Sequence, residues 1–178
     1  MSDYFELINK RESCRDYDTR PVEKDKLERC VEAARLAPSA CNSQPWKYLV
    51  VTNAEMVEKL RPMMQDLGMN KFVDACPAFA VVVEEPTRLK VSVSQRFKDQ
   101  DFAPIDLAFS ASQFCYAATE QGLSTCIIGW HNEPKIKEMF DLKKNERVRL
   151  ILAVGYAKSD KLREKKRKPI EEMSAFYE

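Results

Sequence analysis

Ala78-Phe79-Ala80-Val81-Val82-Val83-Glu84 (AFAVVVE) is apolar at every position but the last. A strand with one solvated face alternates apolar and polar side chains. An unbroken apolar run of strand length therefore reads as a strand covered on both faces, at the centre of a sheet. On either side of it, Trp46 to Thr52 (WKYLVVT), Ser124 to Trp130 (STCIIGW) and Arg147 to Tyr156 (RVRLILAVGY) read as three further strands. Glu23 to Ala37 reads as an amphipathic helix, with Leu27, Cys30, Val31 and Ala34 spaced three and four apart. Pro38 ends it, and the polar residues after it are turn formers. A first helix starts behind Ser2 or Asp3 and carries Phe5, Leu7 and Ile8, and a short one is expected near Pro134 to Phe140. Asn53 is placed to cap a helix reaching about Leu67, which Pro62 is placed to kink.

Ile105 to Gln121 is the least polar helix, and its small residues continue around much of the cylinder. It reads as buried on most sides and, in a chain this small, as a subunit contact. Gly122 suits its C-cap. Residues 85–101 have mixed periodicity and seven charged side chains, which reads as a mobile surface connection and a candidate lid. Strands alternating with helices at these spacings point to an α+β or α/β chain, with helices layered on one sheet.

The 178 residues fit one domain spanning 1–178, since a domain takes roughly 150. Lys plus Arg (29) nearly cancels Asp plus Glu (28), so no global field favours nucleic acid or an anionic membrane. The basic run from Lys158 to Lys168 lacks the interleaved aromatics of a nucleic-acid binder. The chain opens acidic, without a signal peptide, and no apolar run approaches the ~18 residues of a membrane span. Four scattered glycines exclude both the GxGxxG turn and the P-loop. One histidine, His131, makes a multi-His metal site impossible. The six cysteines (14, 30, 41, 76, 115 and 126) form no CxxC pair and read as free thiols in a reducing cytoplasm. Nothing near His131 or these thiols matches a thiol-enzyme signature.

Three polar clusters occupy loops where the fold alone would not require them. Arg11-x-Ser13-x-Arg15 sets two guanidinium forks and a hydroxyl beside a helix end. That set suits the oxygens of a phosphomonoester, or else a solvated loop paired with Glu12 and Asp16. Pro38-Ser39-x-x-Asn42-x-Gln44-Pro45-Trp46 brackets polar side chains between two prolines. Asn and Gln both donate and accept, which suits the edge of a heterocycle, while an ordinary helix-to-strand connection remains the alternative. Lys165-Lys166-Arg167-Lys168-Pro169 is either a solvated charge run or a second phosphate clamp, and the clamp needs the tail to return to Arg11.

Together these clusters resemble the FMN-dependent nitroreductase family, in order and over the whole chain. Arg11 to Tyr17 is similar to its Arg-x-Ser-x-Arg-x-aromatic signature, and Ala37 to Trp46 to its Pro-Ser…Asn-x-Gln-Pro-Trp loop. Gly122-Leu123-Ser124-Thr125-Cys126-Ile127-Ile128-Gly129 resembles the family's Gly-Leu-x-x-Cys-x-Ile-Gly strand, and Lys165-x-Arg167-x-Pro169 its C-terminal clamp. The resemblance implies an α+β three-layer fold, with a mostly antiparallel sheet wrapped by helices. It also implies a homodimer with FMN sites in the interface, residues 157–178 forming an extension placed to reach the partner. Arg11, Ser13, Lys165 and Arg167 would hold the FMN phosphate, and Arg15 would lie near the ribityl chain or pyrimidine edge. Pro38, Ser39 and Asn42 would approach from the partner subunit, Gln44 would lie near the flavin, the backbone of Ile128 and Gly129 would face the isoalloxazine, and Lys71 would place a cation beside the pyrimidine.

The chemistry so implied is ping-pong, carried by FMN with no catalytic side chain. NADH or NADPH reduces the cofactor and leaves, and a nitro compound, quinone or similar small acceptor follows. The alternatives are a flavin-binding or storage protein, or a relative with other flavin chemistry such as reductive dehalogenation. Glu12 departs from expectation, since it sets an acid among the phosphate-binding candidates.

Overall fold

The computed structural model describes residues 3–87 and 101–178. Four strands, β1 (Trp46–Val51), β2 (Ala78–Glu84), β3 (Ser124–Ile128) and β4 (Arg147–Gly155), form one antiparallel sheet in the order β1-β2-β4-β3. AFAVVVE is β2, hydrogen-bonded to β1 on one side and to β4 on the other, with a register shift between Val82 and Val83. Its alternate residues feed two separate cores. Ala78, Ala80 and Val82 face one side of the sheet, while Phe79, Val81 and Val83 face the other. Each fully buried Val or Phe of this strand stabilises the fold by about 1.5–3 kcal/mol.

The described helices are α1 (Tyr4–Lys10), α2 (Lys24–Arg35), α3 (Ala54–Met64), α4 (Phe102–Glu120), α5 (Glu133–Met139) and α6 (Ile170–Met173). α2 and α4 cover the first face with Leu27, Cys30, Ala34, Leu107, Ala111 and Phe114. α3 and α5 cover the second with Val57, Leu60, Met64 and Ile136. The result is the three-layer α+β arrangement expected of the resemblance. A hydroxyl chain ties the layers on the first side. Ser110 Oγ donates to the Ala34 carbonyl at 3.0 Å, which leaves Tyr48 OH to donate to Ser110 Oγ at 2.8 Å.

Two expectations shift. α3 stops at Met64 with Pro62 in its last turn, because Leu67 and Gly68 turn the chain at φ 54° and 74°. α4 keeps one stripe uncovered by the described residues: Ile105 and Phe109 stay 47 % and 51 % exposed. Its small residues set the helix close to the sheet, and nothing in the described chain lies over the opposite stripe. The connection expected over 85–101 falls almost wholly outside the described residues. Gly122 does cap α4, at φ 76°, with Leu123 N donating to Ala118 O at 2.8 Å.

The segment from Arg11 to Tyr17 runs along the outer edge of β3, where Ser13 bridges Thr125 in parallel register and Cys14 N donates to Thr125 O at 2.9 Å. Tyr17 bridges Ala157, and its buried hydroxyl donates to the Ala153 carbonyl at 3.3 Å. Gly155 makes room for that ring: a Cβ there would meet Pro77 Cδ at 2.8 Å and Tyr17 Cδ1 at 3.0 Å. No described helix is long and apolar enough to cross a membrane.

Candidate functional site

Cys14 turns into the core, and Ser13 and Arg15 on either side of it, with Arg11, line the opposite side by the strand period of two; Tyr17, three residues on, breaks that alternation and turns inward as well. The C-terminal tail returns to this outward row. Arg11, Ser13 and Arg15 line a cleft of about 390 Å³ with Glu12 and residues 163–167. The lining carries six cationic and two acidic side chains, a strongly positive concavity in a chain of net charge +1. Residues some 150 positions apart in sequence thereby meet.

The return is fixed by specific contacts. Arg163 Nη2 donates to the Ser13 carbonyl at 2.5 Å, and Arg163 Nε to Glu12 Oε2 at 3.3 Å. Lys165 Nζ donates to the carbonyls of Ile8, at 2.8 Å, and Asn9, capping the last turn of α1. Glu12, the acid that departed from expectation, is thus neutralised by Arg163. Arg11, Arg15, Lys165 and Arg167 make no ion pair with a described carboxylate. Partial burial lowers the Lys165 pKa, and the positive charges of Arg11 and Arg167 lower it further against the pull of Glu12. A dianion in the cleft would relieve that repulsion. Several N–H donors converging on an open, cationic hollow are the donor set a phosphate group requires.

The cleft continues along the sheet edge. The Arg15 guanidinium lies over the Phe72 ring, 5.9 Å from its centroid, and Phe72 in turn tilts against Tyr17 at 6.5 Å. Lys71 precedes Phe72 at the start of a 3₁₀ turn (Lys71–Ala75) and is exposed, outside the cleft itself. Asn70, held at φ 51°, donates from Nδ2 to the carbonyls of Met64 at 2.9 Å and Trp130 at 3.1 Å. It thereby ties the Lys71 turn to the end of β3, where Ile128 is buried and Gly129 is exposed.

Pro38, Ser39, Asn42 and Gln44 are elsewhere. Their loop leads into β1, the opposite edge of the sheet, and enters at the end of β1 farthest from the Ser13 row. Four strand spacings of about 4.8 Å put the two roughly 20 Å apart across the sheet alone. The loop is preformed. Gln44 N donates to Ser39 Oγ at 2.9 Å and Gln44 Nε2 to Asn42 Oδ1 at 2.8 Å, while Cys41, Asn42 and Gln44 all sit at positive φ near 50°. Such backbone costs on the order of 1 kcal/mol or more per residue and needs support. Asp106 of α4 gives it: its Oδ2 accepts from Ala40 N at 3.0 Å, and burial holds this carboxyl above the ordinary aspartate range.

Sequence reasoning missed Arg163, Phe72, Asn70 and Asp106. Arg163 was hidden in a charge run, Phe72 and Asn70 in a turn beside Lys71, and Asp106 in a helix read by its apolar residues. His131 Nε2 donates to the Val148 carbonyl at 3.1 Å, and burial lowers its pKa. No described cysteine is hydrogen-bonded to it. No group of three or more His, Cys, Asp or Glu among the described residues could hold a metal ion.

The nitroreductase family model matches residues 8–69 and 64–156. The chain belongs to the nitroreductase family. A solved nitroreductase family protein from Clostridium difficile 630 is 30 % identical, with a TM-score of 0.81 and 98 % of each chain covered. An oxygen-insensitive NADPH nitroreductase of Helicobacter acinonychis is 26 % identical over 196 residues, covering 92 % of this chain and 91 % of its own length. A nitroreductase-type protein from Exiguobacterium sibiricum 255-15, solved in complex with FMN, has a TM-score of 0.82 at 23 % identity over 99 % of this chain and 98 % of its own. At that identity it speaks for the fold alone.

Proposed function

We propose that the protein is an FMN-dependent oxidoreductase that takes reducing equivalents from NADH or NADPH and delivers them to a nitro compound, quinone or similar small acceptor. The single observation that carries this reading is the cleft, where Arg11, Ser13, Lys165 and Arg167 converge with no described carboxylate paired to any of them. The donor set fits the phosphate of a flavin mononucleotide, and the FMN-bound structural neighbour has the same fold. The reading assigns the phosphate to those four residues and the ribityl chain or pyrimidine edge to Arg15. Ile128 and Gly129 offer backbone to the ring system, and Lys71 sets a cation beside it. Bound FMN would supply the two-electron chemistry between nicotinamide and acceptor.

What the chain's own residues do is bind, orient and tune. Arg163 cancels Glu12, so the carboxylate does not repel the phosphate. Asn70 holds the Lys71 turn against Trp130. Pro38, Ser39, Asn42 and Gln44 are out of reach of their own cleft, and a second copy of the chain would supply them. The uncovered Ile105 and Phe109 stripe on α4 is the surface such a homodimer would bury. The tail beyond Pro169, with Ile170, Met173, Phe176 and Tyr177 exposed, is available to the partner.

The test is the visible spectrum of the purified protein, followed by anaerobic addition of NADH and then NADPH. Yellow protein that bleaches within seconds with one donor is the expected result. Protein that neither carries nor takes up FMN would overturn the reading, and slow bleaching with both donors would indicate a storage protein instead.

A further inference from the structure

Cys14 and Cys126 stand side by side on neighbouring segments. Ser13 pairs with Thr125 in parallel register and Cys14 N donates to Thr125 O, so one residue further along both segments Cys14 lies beside Cys126. Neighbouring segments in such register run about 4.8 Å apart, inside the roughly 4.4–6.8 Å between Cα atoms that a disulfide spans. Both side chains turn into the same core cluster, and both thiols are free. Cys14 also lines a second cleft of about 320 Å³, with Arg15, Asp16, Lys161 and Arg163 among its walls.

We propose that Cys14 and Cys126 are a peroxide-responsive modification site that closes to a reversible disulfide and fastens the Arg11–Arg15 segment to β3. The oxidant is a hydroperoxide, with hydrogen peroxide the simplest. The Cys14 thiol loses its proton and its sulfur attacks one peroxide oxygen. The O–O bond breaks, and the departing hydroxide takes up the proton as water, leaving a sulfenic acid on Cys14. The Cys126 sulfur then attacks the Cys14 sulfur, the S–O bond breaks, and a second water leaves with the Cys126 proton. Two thiols are oxidised and one peroxide is reduced, and an added dithiol reverses the bond. Burial raises the pKa of both thiols, opposed at Cys14 by its hydrogen bond to the Asp16 carbonyl and at Cys126 by the Arg15 charge, with Arg163 lowering both, so the response is slow and answers sustained oxidant. Closure breaks the Cys14 thiol contact to the Asp16 carbonyl (3.3 Å), and it acts on the backbone that carries Ser13 and Arg15.

The test uses the full chain with added FMN and carrying Cys41→Ser, since Cys41 is the exposed thiol. It is treated with hydrogen peroxide at a level that fully oxidises a free cysteine peptide in the same time, then alkylated and mapped without reduction. The expected result is a loss of two hydrogens in intact mass, one cross-linked peptide joining Cys14 to Cys126, and full reversal by dithiothreitol. The oxidised form should melt about 5 °C or more higher, because a long loop is closed. In Cys126→Ala the sulfenic acid on Cys14 should persist and be trapped by dimedone. A bridge from Cys14 to Cys76 or Cys115, which also surround Tyr17, would overturn the proposal. So would oxidation without any cross-link, or thiols that stay fully reduced. If Cys126→Ala does not fold, the peptide map of the parent chain decides alone.

Discussion

The cleft beside β3 and the loop before β1 occupy opposite corners of one sheet, and they are held in opposite ways. The cleft is charged and open, and it is held together by Arg163 and Lys165, which reach back to carbonyls and a carboxylate 150 or more residues upstream. The loop is neutral and local, with Ser39, Asn42 and Gln44 bonded to one another and Asp106 as its anchor from outside. The two corners therefore acquire their order by different routes. Like charges repel in the cleft until an anion arrives, whereas the loop stores its cost in left-handed backbone before anything binds. A ligand should stabilise the first corner far more than the second.

The most severe challenge to that contrast is Arg11→Ala combined with Arg167→Ala. Each charge-assisted hydrogen bond contributes roughly 1.5–3 kcal/mol, so FMN affinity should fall at least a hundredfold while the chain stays folded. Flavin content with circular dichroism checks this, and normal flavin content would refute the phosphate assignment. Next in size, Asp106→Ala leaves Ala40 N without its acceptor, at a cost of about 1–3 kcal/mol in unfolding free energy. Asp106→Asn should recover much of that in a denaturant melt, because an amide oxygen can still accept. An unchanged melt for the alanine variant would mean the loop supports itself.

A third experiment follows FMN or inorganic phosphate affinity against pH by isothermal titration. The folded pKa of Lys165 lies below its unfolded value, so the free cleft releases a proton earlier than a solvated lysine would. A bound dianion favours the charged amine. Affinity should be full below the folded pKa of Lys165 and fall as pH rises through it, and Lys165→Met should flatten that limb. The smallest effect belongs to Lys71→Ala. Its side chain is exposed outside the cleft, so stability should move by no more than about 0.5 kcal/mol and flavin content not at all. Only the rate of bleaching by the nicotinamide donor should slow, within about tenfold by stopped flow.

The layers of the fold were legible because apolar periodicity is local. AFAVVVE read as a doubly covered strand from its unbroken apolar run, and the alternation about Cys14 sends Arg11, Ser13 and Arg15 outward, with Tyr17 the exception to it. The cleft was legible in its ingredients and not in its assembly. Lys165 and Arg167 read equally well as a solvated run until the tail was seen to fold back on α1. Asp106 and Phe72 left no trace in sequence, since a buried carboxylate and a ring under a guanidinium are defined by neighbours from other elements. α4 shows the converse: its composition predicted burial on most sides, and only the structure says which stripe, Ile105 and Phe109, the described residues leave exposed.

Local sequence therefore settles the elements, the central place of β2 and the pool of cations, because propensity, periodicity and charge are carried by neighbouring residues. Tertiary contacts alone establish that Glu12 is silenced by Arg163, that Cys14 stands beside Cys126, and that Pro38 to Gln44 lie a whole sheet away from Arg11. Strand order and register are set by contacts between distant segments, and no local pattern encodes them.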